Sequence, residues 1–338
     1  MEKIAFISGE TFFYWSPLIL TMAAVVAMAV YASVYVKKGG SGLAIFGSIM
    51  LSALAGIPLA RLVHWYCRTA AYESFRVAMT DYSAGGYALM GVFFGCLIAA
   101  CLLRLVRVCD NLPRMLDCMA IGGGAGIAVG RLASMFHASD RGAIVSEEVG
   151  FPFAYPVINS VSGAVENRLA TFMIQSILTA VIVAVLLVYM ARCSMKKKKI
   201  ADGDICLLFL LCYGACQIIC DSTRYDSLFF RSNGFVSIVQ ILGAVALVVA
   251  IVVFSVRMVK ENGMKWWSWV LWTGILALLG VAGYMEYYVQ RHGSEAIFAY
   301  SVMGTCLALT VVLSIVIRFL GNREKKTVPN GLGKTGEN

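Results

Sequence analysis

The stretch GGGAGIAVGRLASMF, residues 122–136, places a charged side chain directly behind a run of small apolar residues. The run from Gly122 to Gly130 can cross lipid as a helix, because a helix pairs its own backbone groups. Arg131 follows where such a helix reaches the membrane surface, and an arginine there often only extends its guanidinium group to the lipid headgroups. A guanidinium group also binds phosphate through two parallel hydrogen bonds. The stretch therefore predicts a transmembrane helix and leaves two roles open for Arg131.

Composition extends this interpretation to the whole chain. Of the 338 residues, 60% are hydrophobic and 14% are charged, and the mean hydropathy is +0.79. So few charges cannot cover the surface of a water-soluble protein. We therefore expect an all-α, polytopic integral membrane protein with about nine transmembrane helices, at about 15–36, 43–63, 84–105, 112–132, 168–192, 204–222, 235–256, 267–287 and 296–318.

The positions of the basic residues predict the orientation of these spans. The chain has 28 lysines and arginines and a net charge of +9, and eighteen of these basic residues lie in alternate connections. Loops rich in Lys and Arg face the cytoplasm, so the N-terminus is expected outside and the C-terminus inside. Residues 321–338 are expected to form a disordered cytoplasmic tail. Basic residues spread over short loops also argue against a nucleic-acid partner.

Three arginines lie at the opposite, extracytoplasmic ends of predicted spans: Arg61 in the second, Arg131 in the fourth and Arg224 just after the sixth. Each alone is explained by snorkelling to the headgroups, but three at one level favour a shared site for an anionic phospholipid. Asp221 lies three residues before Arg224, one helical turn away, and is placed to orient it as an ion pair. Tyr213 lies deeper in the same span and is either a packed aromatic or part of the site.

The largest extracytoplasmic connection, residues 133–167, is called the arm below. It follows Arg131 directly and carries prolines and aromatics, so we expect it to cover the outer mouth of the site, with a mobile loop as the alternative. His64, one turn after Arg61, and His137, at the start of the arm, have side chains suited to general-base chemistry. The eleven cysteines form no CxxC pair, and no metal or cofactor site is predicted.

Residues 15 to 257 resemble the prolipoprotein diacylglyceryl transferases of bacterial inner membranes. The likeness rests on five weak matches that occur in the family's order: ARLVHWY at 60–66, FRVAMTDYSAGGYALMGVFFG at 75–95, GRL at 130–132, LLCYGACQIICDSTRYD at 210–226 and SIVQILG at 237–243. The resemblance implies a seven-helix core over residues 1–257 with two additional transmembrane helices in 258–320.

The resemblance also implies an activity and its substrates. The family transfers the diacylglyceryl group of phosphatidylglycerol to the cysteine thiol of a lipobox prolipoprotein and releases glycerol phosphate, in the bacterial plasma membrane. Arginines would stabilise the charge on the leaving phosphate, and a base would take the thiol proton. On this basis the predicted catalytic residues are Arg131, His64 and His137. The predicted substrate-binding residues are Arg61, Gly85, Gly86, Gly130, Tyr213, Asp221 and Arg224.

The chain departs from the family pattern at several positions. Met90 stands where the family has a histidine, and Gln217 stands where it has an arginine four residues after the tyrosine of Tyr-Gly. Ser134 and Ser139 occupy the family's asparagine and glutamate positions, and VENRLAT at 165–171 replaces its His-Pro-x-Gln-Leu-Tyr-Glu run. The departures favour altered or reduced activity. They leave two alternatives: a catalytically silent relative that binds anionic phospholipid or lipoprotein precursors, and a lipid transporter.

The predicted orientation can be tested at the C-terminus. Green fluorescent protein fused after Asn338 is expected to fluoresce, and alkaline phosphatase fused there is expected to be inactive, because the positive-inside bias keeps that end in the cytoplasm. An active phosphatase fusion would contradict the orientation.

Overall fold

The computed structural model describes residues 4–8, 11–81, 86–136, 140–146, 148–158, 162–230, 236–292 and 296–321. Ten α-helices account for most of them. They are α1 (Trp15–Lys37), α2 (Gly42–Cys67), α3 (Phe75–Thr80), α4 (Leu89–Leu105), α5 (Leu112–Gly130), α6 (Thr171–Met195), α7 (Asp204–Ser222), α8 (Ile238–Asn262), α9 (Trp266–His292) and α10 (Ala296–Gly321).

The prediction of an all-α, multi-pass membrane protein is confirmed. Within the described residues, eight helices are long and apolar enough to cross a membrane, and α4 is a ninth, shorter apolar helix. The third predicted span begins later than expected, at Leu89, because Gly86 at φ +83° is in a left-handed conformation that a helix cannot include. Gly321 ends α10, and the rest of the predicted tail, 322–338, lies outside the described residues.

Backbone contacts divide the chain into two compact units, Met1–Ala250 and Ile251–Asn338. In the first unit α2 packs on α4, α1 packs on α5, and α5, α6 and α7 pack on one another. In the second unit α9 packs on α10. The candidate site described below lies wholly in the first unit.

The glycine run of α5 serves helix packing on two faces. A Cβ at Gly122 would lie 2.7 Å from the carbonyl oxygen of Ala27, and one at Gly126 would lie 2.7 Å from the Ala27 Cβ, so α1 needs both glycines for its close approach. On another face a Cβ at Gly124 would lie 2.6 Å from the ring of Phe209 in α7. Small residues in membrane helices permit such contacts, so the partners of this run are other helices.

Asp117 joins the opposite end of α5 to the start of α7. Its carboxylate is buried and accepts hydrogen bonds from the backbone N–H groups of Gly203 at 3.0 Å and Cys206 at 2.8 Å. These N–H groups have no partner within their own helix, so a side chain from α5 caps α7. The cap fixes the two helices that carry the site relative to each other.

Two short antiparallel hairpins were not expected from the sequence. Strands β1 (Ile4–Ser8) and β2 (Thr11–Tyr14) precede α1, and β3 (Ala154–Ile158) and β4 (Val165–Leu169) lie in the arm. Residues 142–145 add to β4 through backbone hydrogen bonds, including Gly142 N–H to the Leu169 carbonyl at 2.8 Å. Both hairpins lie outside the helices that can cross the membrane, so their edges need not be closed against lipid.

The contact of α2 with α4 provides a test of the packing. A Cβ at Gly95 would lie 2.4 Å from the Gly56 Cα, whereas one at Gly123 would have nothing within 4 Å. Gly95→Ala is therefore expected to lower the free energy of unfolding by about 1–3 kcal/mol through overpacking. The matched control Gly123→Ala should leave it unchanged or raise it slightly, because alanine favours helix. Thermal unfolding in detergent measures both, and equal melting temperatures would contradict the close packing.

Candidate functional site

Asp140 binds two arginines that are far apart in the sequence. Its Oδ1 lies 3.1 Å from Arg131 Nη1 and 2.6 Å from Arg224 Nη2. Its Oδ2 accepts a hydrogen bond from the Ser134 hydroxyl at 2.6 Å. One buried carboxylate therefore holds the end of α5 and the segment that follows α7 at a single point.

Arg224 has two further carboxylate partners. Asp221 Oδ1 lies 3.3 Å from Arg224 Nη1, so the predicted ion pair one turn apart is present. Asp226 Oδ1 lies 3.0 Å from Arg224 Nη2, and Asp226 also accepts the backbone N–H of Asp140 at 3.0 Å. Ser237, just before α8, donates its hydroxyl to the buried Asp221 carboxylate. These five residues, Arg131, Asp140, Asp221, Arg224 and Asp226, are called the arginine cluster below.

Local backbone structure places these side chains. The chain tightens after α5 into a 3₁₀-helix, Arg131–Phe136, and Asp140 adopts the left-handed conformation at φ +57°. Gly142 then pairs with Arg224 in an isolated β-bridge, and the Tyr225 N–H donates to the Arg141 carbonyl at 2.8 Å. The start of the arm is thus bonded to the segment that carries Arg224.

The charges of the cluster shift one another's protonation. Burial alone would raise the pKa of Asp140, but the guanidinium groups of Arg131 and Arg224 outweigh it and lower the pKa from 3.8 to about 2. Burial would lower the pKa of Arg224, and Asp140, Asp226 and Asp221 outweigh it and raise the pKa. The stabilisation from the Asp140 carboxylate is therefore present above pH 3.8 and is lost as the pH falls toward 2.

Arg131 keeps hydrogen-bonding capacity beyond Asp140. Its Nε is buried and has no hydrogen-bond partner among the described residues. The hydroxyl of Tyr213, on α7, lies close enough to interact electrostatically with this guanidinium group, although it makes no hydrogen bond of good geometry within the described part of the chain. An oxyanion beside Arg131 would therefore find an unused N–H donor.

The guanidinium group of Arg61 donates its hydrogen bonds to backbone carbonyl groups. Arg61 is 0% exposed and donates to the carbonyl oxygens of Ala78 at 2.5 Å, Gly86 at 3.1 Å and Asp81. Its guanidinium carbon lies 4.9 Å from the centre of the Tyr72 ring, a cation–π contact. No hydrogen bond or ion pair among the described residues joins Arg61 to Arg131 or Arg224, so the structure does not bring the three arginines into one set of contacts.

His64 lies next to Arg61 and has a defined partner. Its Nδ1 lies 2.7 Å from the Tyr72 hydroxyl. A Cβ at Gly86 would lie 2.4 Å from that hydroxyl and 2.9 Å from the His64 ring, so only glycine fits there. Nearby, Arg68 donates to the Asp226 carbonyl oxygen at 2.7 Å. The end of α2, with His64, is thereby tied to the arginine cluster.

The other predicted site residues are placed as follows. Gly130 packs on α1, because a Cβ added at this position would lie 3.4 Å from the Cβ of Ala23. Gly85 and His137 lie outside the described residues.

Sequence reasoning missed Asp140 and Asp226. The family pattern assigns its acidic position to Ser139, and the carboxylate that binds Arg131 comes from the next residue, Asp140. Asp140 lies nine residues after Arg131, and this spacing matches no helical period that would have indicated the contact. Only the left-handed turn at Asp140 shows which residue points inward.

Comparison with known proteins connects this geometry to a family. The model of the prolipoprotein diacylglyceryl transferase family matches residues 3–256. The chain belongs to this family. Residues of the arginine cluster, α2 with His64 and the arm all lie in the matched region.

Curated relatives carry the same description at low identity. The phosphatidylglycerol–prolipoprotein diacylglyceryl transferase of Streptococcus pyogenes serotype M3 is 24% identical over 271 residues, which cover 79% of this chain and 99% of the relative. Those of serotypes M5 and M49 are each 23% identical over 271 residues, with the same coverage. The matched length shows that this chain spans nearly the whole of these relatives.

The bridge formed by Asp140 yields a test. Asp140→Asn removes the charge shared by two buried guanidinium groups, so we expect about 3 kcal/mol lower stability, measured by thermal unfolding in detergent. Added phosphate should restore part of this loss, because an oxyanion can replace the carboxylate between the arginines. In the control Asp202→Asn the partner Arg114 is 40% exposed, and the change should stay within about 1 kcal/mol. Equal melting temperatures of wild type and Asp140→Asn would contradict the bridge.

Proposed function

We propose that the protein transfers the diacylglyceryl group of phosphatidylglycerol to the lipobox cysteine of prolipoproteins at the arginine cluster. The observation that carries this proposal, beside family membership, is the pair Arg131 and Arg224 held together by Asp140, with Nε of Arg131 lacking a partner among the described residues. In the reaction the cysteine thiolate forms a C–S bond to the glyceryl carbon. The C–O bond to the phosphate breaks, and glycerol phosphate leaves with the electron pair.

Arg131 is the residue we assign to the phosphate. The phosphate gains negative charge as the C–O bond breaks, and a fixed N–H donor in a water-poor site stabilises that charge in the transition state. Arg224 is linked to Arg131 through Asp140, and Asp221 and Asp226 hold Arg224 in place. Arg61 contributes indirectly, because it holds the backbone of the segment around Gly86.

The thiol proton needs an acceptor, since the thiolate is the nucleophile. Two histidines are candidates. His64 has its imidazole fixed by Tyr72, and its helix end is bonded to the cluster through Arg68. His137 precedes Asp140 by three residues in the arm.

The proposed location is the bacterial plasma membrane, with the arm and the arginine cluster at the extracytoplasmic side. The arm would then cover the site where a prolipoprotein emerges from the membrane. The bonds between the start of the arm and the segment that carries Arg224 support this proposal. Residues 258–320 would form two helices added to a transferase core of residues 1–257.

A second candidate function is a catalytically silent relative that binds anionic phospholipid or lipoprotein precursors. Met90 and Gln217 favour it, because they replace a histidine and an arginine of the family pattern. The silent relative needs only the arginines, whereas the transferase also needs a proton acceptor. A measurement of catalytic turnover distinguishes the two functions, because only the transferase would turn over substrate.

Complementation tests the proposal. Expression of this protein in a bacterium depleted of its own transferase should restore growth and the lipidation of a reporter lipoprotein. Arg131→Lys should fail although its charge is retained, because lysine cannot reproduce the two-donor edge of the guanidinium group. Losing one charge-assisted hydrogen bond should weaken lipid binding about tenfold or more.

Arg114→Lys is the matched control, since Arg114 is partly exposed and lies at the other end of α5. It should complement as the wild type does. Full activity of Arg131→Lys would show that position 131 needs only a charge at the interface. Failure of the wild-type protein to lipidate, together with retained binding of phosphatidylglycerol, would favour the silent relative.

A further inference from the structure

Arg131, just after α5, and four residues of α6 and α7 carry buried polar atoms that have no hydrogen-bond partner among the described residues. The atoms are Arg131 Nε, Thr171 Oγ1, both amide atoms of Gln175, Tyr213 Oη and Gln217 Oε1. The two glutamines are 1% and 2% exposed. Inside a membrane protein such groups are costly unless a ligand or water pairs with them. Their concentration therefore needs an explanation.

Contacts between the helices place the start of α6 and part of α7 near the end of α5 that precedes Arg131. The Ser176 hydroxyl donates to the Ala128 carbonyl at 2.5 Å, so the start of α6 lies beside the end of α5, next to Arg131. Thr171 and Gln175 are one turn apart on one face of α6. Tyr213, which interacts with Arg131, brings part of α7 near the same end.

Gln217 belongs to the same group. It lies one turn from Tyr213, on the same face of α7 and toward the arginine cluster. The three helices pack on one another, and Tyr213 lies beside Arg131. We call Thr171, Gln175, Tyr213 and Gln217 the amide pocket.

The chemistry of the amide pocket differs from that of the arginine cluster. Its members are neutral, and its amides and hydroxyls both donate and accept hydrogen bonds. A phosphate oxygen can only accept, so it would leave the oxygen of Gln217 unmatched. An ammonium group can only donate, so it would leave the amide nitrogen of Gln175 unmatched. A hydroxyl group donates to an amide oxygen and accepts from an amide nitrogen, so it matches the pocket.

We infer that the amide pocket binds the hydroxyl groups of a glycerol headgroup while Arg131 binds the adjoining phosphate. The inference rests on the proposed function, which places phosphatidylglycerol at Arg131. It assigns to Gln175 and Gln217 the selection of a hydroxylated headgroup, a role distinct from binding the charge. A site that recognises a hydroxyl group discriminates against an analogue that lacks it, because its own polar groups are then left unpaired.

The test compares two lipids that share the phosphate and differ in the headgroup. Phosphatidylglycerol carries headgroup hydroxyls, and phosphatidylmethanol carries none. The affinity of the purified full chain in neutral detergent is measured for each by competition with a fluorescent phosphatidylglycerol. The wild type should prefer phosphatidylglycerol by at least about fivefold, the value of one net hydrogen bond.

Each substitution should affect the two lipids differently. Gln175→Met and Gln217→Met, which conserve volume, should each weaken phosphatidylglycerol binding about fivefold and leave phosphatidylmethanol binding unchanged. Arg131→Lys should weaken both lipids by the same factor. Retained binding of phosphatidylmethanol also shows that a variant is folded.

Gln240→Met is the matched control. The amide of Gln240 is already paired, since it accepts the Ser237 N–H at 3.0 Å and donates to the Ile218 carbonyl at 3.4 Å. This variant should have a lower melting temperature and the same lipid preference as the wild type.

Equal affinity of the wild type for both lipids would mean that the amide pocket holds only water. This result would overturn the inference and leave the proposed function standing. A preference for phosphatidylglycerol that survives in the Gln175→Met/Gln217→Met double variant would also overturn the inference. Absence of binding to either lipid by the wild type would overturn the proposed function as well.

Discussion

The site depends on the neutralisation of two guanidinium groups inside a helical membrane protein. Arg131 and Arg224 can lie close together because the Asp140 carboxylate lies between them. Asp221 and Asp226 add two more carboxylates, so the cluster has one more negative than positive charge when all five groups are ionised. A single electrostatic constraint thus ties the end of α5, the arm and the end of α7 to one another.

Much of the architecture was predictable because hydropathy and basic loops determine where helices cross lipid. The pair Asp221–Arg224 was also predictable, since three residues make one helical turn. Asp140 was not, because its side chain is directed inward by a left-handed backbone turn that the family pattern did not indicate. The carbonyl partners of Arg61 come from residues 17 to 25 positions away, in α3 and just before α4, and no periodicity indicates such contacts.

The departures from the family pattern change the charge of the site as well as its chemistry. An arginine at position 217 would bring a positive charge to within one helical turn of Asp221, whereas Gln217 is neutral. The amide oxygen of Gln217 is buried and unpaired within the described residues. Gln217 therefore shifts this part of the interior from binding charge toward binding neutral polar groups.

The short helix α4 has a consequence for the surrounding bilayer. Its 17 residues extend about 25 Å, less than the hydrocarbon thickness of about 30 Å. Either the bilayer thins beside α4 or the segment before it lies at the depth of the acyl chains. Backbone without regular structure persists at that depth only if protein groups satisfy its carbonyls. Arg61 donates to the carbonyls of Ala78, Asp81 and Gly86, so under the second alternative one fully buried guanidinium group would supply donors to backbone that meets the acyl chains.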